Sequence, residues 1–103
     1  MTGHFAELGM QLAPLIPTER ILKADDFLLN TDFVGVGYGV PSRGGQRAIE
    51  TMAKSEGIFL DPIYTGKAFG GLMELCKQGR IHGRVVFWHT GGTPALFAYE
   101  DAD

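Results

Sequence analysis

Between Ile58 and His89 the hydrophobic rhythm of the chain changes twice. "IFL" (Ile58–Leu60) is a short, wholly apolar run that ends in Asp61-Pro62. From Gly66 to Gln78 the apolar residues return at helical spacing, with Ala68, Phe69, Leu72, Met73, Leu75 and Cys76 facing inward and Gly79 ending the pattern. "IFL" reads as a very short strand of the sort buried on both faces in a parallel sheet, and "RVVFWH" (Arg84–His89), continuous, β-branched and aromatic, reads as a second strand. Upstream, Ser42 is placed to cap a helix from about Arg43 to Glu56. Ala48, Ile49, Met52 and Ala53 form its apolar stripe, and Gly57 suits the left-handed position past its end.

The flanks read in the same way. "HFAELGMQL" is the end of a helix with Phe5, Leu8 and Leu12 on one side, stopped by Pro14 and Pro17. "DDFLLNTDFVG" is a strand candidate and "VGYGVP" a glycine-rich loop. "TGGTPALFAY" turns into a last helix, with Thr93 as its cap and Pro94 in the first helical position. Helix and strand thus alternate along the chain. Such alternation implies parallel strands joined by right-handed crossovers, an α/β fold within one domain of 103 residues.

Composition narrows the partners. A net charge of −3 without a basic cluster argues against nucleic acid and against anionic membranes. No apolar run approaches the ~20 residues that span a bilayer. The single cysteine, Cys76, rules out an internal disulfide and reads as a small buried hydrophobe. "MTGHFAELGM" has no basic segment leading into an apolar one, so a cytoplasmic setting is expected. The 15 glycines cluster at Gly35–Gly39, Gly44–Gly45, Gly70–Gly71 and Gly91–Gly92, which points to tight turns and close backbone approaches.

Ligands of open α/β sheets bind beyond the carboxyl ends of the strands. Tyr64-Thr65 and Thr90-Gly91-Gly92 fall at two such ends. The second turn either offers amide donors to an anion or simply starts a helix. Tyr38, Tyr64 and Thr65 either contact a ligand directly or are two half-buried tyrosines and a helix cap. Lys67 stands in a first helical turn, against the macrodipole, and reads as an exposed amine tolerated at small cost. His4, His82 and His89 lack metal-ligand spacing; His89 reads as a core histidine bonded to backbone, and Asp61 as a turn former.

Three blocks carry a more specific signal: "GYGVP" (Gly37–Pro41), "EGIFLDPIYTGKAFGGLMEL" (Glu56–Leu75) and "VVFWHTGGTPALFAY" (Val85–Tyr99). In order and spacing they resemble the C-terminal part of the D-cysteine desulfhydrase and 1-aminocyclopropane-1-carboxylate deaminase family. That resemblance implies a three-layer α/β fold with a parallel sheet, part of the large cofactor domain of a fold-type II pyridoxal-phosphate enzyme. It places Tyr38 and Tyr64 beside a small amino-acid substrate, with Thr65 near the pyridine nitrogen of pyridoxal phosphate. Thr90 and Gly91 would line the same end of the ring.

The cyclopropane deaminases look like "YEGK" where this chain has "YTGK". Threonine lacks the charge to pair with a protonated ring nitrogen, so the cofactor should be a weaker electron sink, which suits elimination of a thiol. The resemblance therefore leans to the desulfhydrase side, with sulfide, ammonia and pyruvate released from D-cysteine or a related amino acid. The family's Schiff-base lysine and phosphate loop lie upstream of the matched blocks. Lys23, Lys54, Lys67 and Lys77 match none of the aldimine positions, so these residues alone are expected to be inactive. The alternative is a stand-alone α/β module that self-associates, because uncovered sheet edges and helix faces favour a homo-oligomer.

Overall fold

A computed structural model describes residues 2–16 and 20–98; Pro17 and Tyr99 lie outside the described residues. The chain divides into two compact units, Met1–Thr31 and Asp32–Asp103.

In the first unit, α1 (Thr2–Leu12) is a helix as expected, and Pro14 opens a single 3₁₀ turn, Ala13–Leu15, that closes it. A second 3₁₀ turn spans Ala24–Asp26 where a strand was expected. The Asp26 carboxylate accepts the Lys23 amide at 2.9 Å and pairs with Arg20 at 3.1 Å, so a local polar bond competes with extension. Backbone and guanidinium donors together hold its carboxyl below the ordinary range. The rings of Phe5 and Phe27 meet with centroids 5.9 Å apart, and Leu22 sits so close to Gly9 that a β-carbon there would overlap it.

The second unit is built on two helices. α2 (Arg43–Glu56) has the boundaries its punctuation specifies. Ser42 Oγ accepts the Gly45 amide at 3.0 Å, and Gly57 takes φ 66° while donating to Ala53 O. α3 (Thr65–Lys77) ends in a Schellman motif, Arg80 N to Leu75 O and Gly79 N to Cys76 O, both 3.0 Å. α4 (Thr93–Leu96) is one turn, with Gly92 rather than Thr93 at its N-cap.

α2 and α3 meet through glycines. A β-carbon on Gly70 would stand 2.8 Å from Gly44 O, and one on Gly66 would overlap Asp61 O and crowd Ile49. The buried face of α3 is accordingly Thr65, Gly66, Lys67 and Gly71, and the expected inward residues Ala68 and Cys76 are exposed. Helical periodicity locates apolar stripes, but close backbone contact here is set by the missing side chains. Gly70→Ala should therefore destabilise the unit by about 1–3 kcal/mol through overpacking, readable as a lower urea midpoint.

The expected three-layer α/β architecture with a parallel sheet is not formed. No strand occurs among the described residues. Ile58–Leu60 and Arg84–His89 form no ladder; a side chain links them instead, His89 Nε2 to Phe59 O at 2.9 Å. A parallel strand is stabilised by evenly spaced bonds to neighbours. The apolar run "RVVFWH" favours burial, and here only Phe87 finds part of it. Phe87 lies edge-on to Phe69, centroids 5.1 Å apart, beside a core of Ala48, Ile49 and Leu60 that Met52 and Leu96 complete. Val86 and Trp88, on the opposite side, are 87% and 81% exposed.

Candidate functional site

The site forms where the chain passes from Leu60 into α3. Asp61 is fully buried, and its carboxylate collects four donors. Oδ2 accepts the amides of Ile63 at 2.8 Å and Tyr64 at 2.7 Å; Oδ1 accepts the Thr65 amide at 2.9 Å and the Thr65 hydroxyl at 2.7 Å. Thr65 Oγ1 in turn accepts the Asp61 amide at 2.9 Å. Burial raises the pKa of such a group, but the donors from Thr65, Tyr64 and Ile63 outweigh it and hold the carboxyl below its ordinary 3.8. The expected turn-forming role of Asp61 is found, and it extends further. Asp61, rather than Thr65, satisfies the first amides of α3, because an anion at a helix N-terminus also meets the positive end of the macrodipole.

The second expected strand end closes on the same point. Gly92, at φ 86°, stands so near the carboxylate that a β-carbon would lie 2.6 Å from Asp61 Oδ1. His89 Nδ1 accepts the Gly91 amide at 3.1 Å, so the Nε2 proton is the one donated to Phe59 O. Thr93 Oγ1 reaches the same carbonyl at 3.4 Å. His89 is thus bonded to backbone as expected, although it is exposed and not in the core. Thr90 is exposed at the rim, whereas the Gly91 amide is already occupied by His89.

The two tyrosines are brought together. The phenols of Tyr38 and Tyr64, 26 residues apart, hydrogen-bond to each other, with ring centroids 6.0 Å apart at 63°. Both are open to solvent, 81% and 55% exposed. Lys67 was expected to be exposed; it is 8% exposed, and its ammonium donates to Val34 O at 2.8 Å and Gly37 O at 3.1 Å.

Thr65 fits its expected role least well. A hydroxyl has one proton and two lone pairs, and here the proton goes to Asp61 and one lone pair to the Asp61 amide. So placed, Thr65 cannot donate to a pyridine nitrogen, and its side chain is buried.

A groove of about 560 Å³ opens elsewhere on the unit, between α2 and α3, lined by Phe33, Ser42, Arg47, Lys67, Glu74 and Lys77 among others. Tyr38, Tyr64, Thr65, Thr90 and Gly91 do not line it. Asp61 as the hub and Lys67 as a tether are the functional residues that sequence reasoning undervalued. Their signals were Asp61 four residues before Thr65, and a cation in a first turn where nothing else neutralises it.

Among the described residues no group of histidine, cysteine and carboxylate side chains could hold a metal ion, and no helix is long and apolar enough to cross a membrane. No family model matches the chain.

Proposed function

We propose that this chain is the C-terminal part of a cytoplasmic, oligomeric pyridoxal-phosphate-dependent lyase resembling D-cysteine desulfhydrase, which releases sulfide, ammonia and pyruvate from D-cysteine or a related amino acid. What supports the reading is one observation: two tyrosines distant in sequence meet phenol to phenol, exposed, at the start of α3. A hydrogen-bonded phenol pair can hold an amino-acid carboxylate and pass a proton between its two oxygens. That is the contribution assigned to Tyr38 and Tyr64. Thr90 and Gly91 are assigned to the cofactor ring by the same resemblance, and Thr65 supports the turn through Asp61, whose carboxylate accepts both the Thr65 hydroxyl and the Tyr64 amide. The cofactor's phosphate and aldimine contacts belong to the remainder of such an enzyme.

Co-expression with the upstream two thirds of a family desulfhydrase tests this by complementation. The assembled protein should release sulfide from D-cysteine, and Tyr64→Phe should lower the rate by about 10²-fold, the typical loss of a proton-transferring group. The chain alone should give no stoichiometric, borohydride-reducible band with pyridoxal phosphate. An assembly that binds the cofactor yet leaves D-cysteine intact overturns the proposal.

The exposed Val86 and Trp88 favour a second reading, a self-associating module without catalysis. Sedimentation separates the two, because a dilute monomer removes the reason for the second.

A further inference from the structure

We infer that Lys67 is the positioning residue of the tyrosine pair: its buried ammonium folds the loop of residues 34–40 around itself and so carries Tyr38 to Tyr64. This rests on reading the pair as the functional site. Tyr64 caps α3 and Lys67 follows three positions later, so one helical turn presents both side chains to the same loop. The loop is shaped to receive a cation. Gly35 and Gly39 both take φ 76°, a left-handed conformation that glycine adopts without strain, and the carbonyls of Val34, just before the first, and of Gly37, between the two, converge on Nζ. Gly37 O also accepts the Val40 amide at 3.3 Å, closing a turn that holds Tyr38 at its tip.

A loop with Val36 and Tyr38 in solvent has little apolar burial of its own to order it. The ammonium supplies that order through two charge-assisted, partly buried bonds to the loop carbonyls. Lys67 is therefore fixed in place by the loop and is not a nucleophile. Its burial in a first helical turn, against the macrodipole, is offset by those carbonyl dipoles.

Photo-oxidation by a ruthenium complex with persulfate, which couples adjacent phenols, reads the juxtaposition directly through dityrosine fluorescence in a Tyr99→Phe background. Lys67→Met keeps the aliphatic stem and removes the charge. It should leave far-UV helicity intact while dityrosine yield falls at least tenfold, the least change expected from losing even one charged hydrogen bond, to the level of Tyr38→Phe. Retained helicity with unchanged yield overturns the inference.

Should Lys67→Met fail to fold, the wild-type chain still decides. A buried, bonded ammonium exchanges slowly with water and gives its own ¹⁵N-detected NH₃⁺ resonance, unlike the exposed amine of Lys54. The absence of any protected ammonium also overturns the inference. Neither readout needs pyridoxal phosphate or an amino acid, so a chain that passes here and fails complementation refutes the enzymatic reading alone.

Discussion

Asp61→Ala is expected to lower the unfolding free energy of the second unit by about 3 kcal/mol, a large share of the ~5–15 kcal/mol typical of whole domains. The substitution deletes an acceptor of three amides and one hydroxyl at a site closed to water. Each buried donor left unpaired costs about 1–3 kcal/mol, and the lost helix cap adds about 1 kcal/mol, with local relaxation recovering part of the sum. Asp61→Asn separates charge from shape: its one carbonyl oxygen serves half the donors, and its amide turns donors toward donors. A loss near that of alanine is expected, measured by urea titration of ellipticity. A change in either variant no larger than the ~0.5 kcal/mol of ordinary surface substitutions would remove the hub from this account.

The same carboxylate sets an acid limb. Its pKa in the folded chain lies below the ordinary 3.8, so the unfolded chain takes up the proton first. The stabilisation is fully present above the unfolded value and is lost as pH falls through the folded one. Stability should therefore be level in the neutral range with respect to this group and decline below about pH 4, more steeply in the wild type than in Asp61→Asn. Asp26 is also depressed, but on an exposed turn in the other unit, where solvent screens its bonds. Parallel titration of Asp26→Asn identifies any share it has.

What could be read from the sequence follows the range of the interactions. α2 was legible to the residue because Ser42 and Gly57 act on neighbours within four positions, through a hydroxyl on an amide and a left-handed dihedral angle. Cys76 and the face of α3 were misread because glycine-to-backbone contact with α2 carries no hydrophobic signal. The sheet failed for the opposite reason. "IFL" and "RVVFWH" have strand chemistry, but a ladder is a property of pairs of segments, and these two meet through His89 and Phe59 instead. Gly92 reaches Asp61 and Tyr38 reaches Tyr64, but the means of that convergence was not legible. A lysine tethering a loop thirty residues upstream leaves no periodic trace.

Gly92→Ala should be nearly as damaging as the loss of Asp61, for two reasons that can be measured apart. At φ 86° an alanine costs about 1–2 kcal/mol of backbone strain. Its β-carbon would also press within 2.6 Å of Asp61 Oδ1, and accommodating it adds about 1–3 kcal/mol of the kind seen on overpacking. Gly79→Ala supplies the strain alone, because Gly79 takes φ 72° with nothing near its β-carbon. The excess of Gly92→Ala over Gly79→Ala in urea denaturation then measures the approach of the 91–92 turn to the buried carboxylate. Combining Gly92→Ala with Asp61→Ala removes the atom that is struck, so the double variant should be more stable than the sum of the two losses by about 1–3 kcal/mol, as coupled neighbours are. Strict additivity would mean that the turn after His89 does not rest on Asp61.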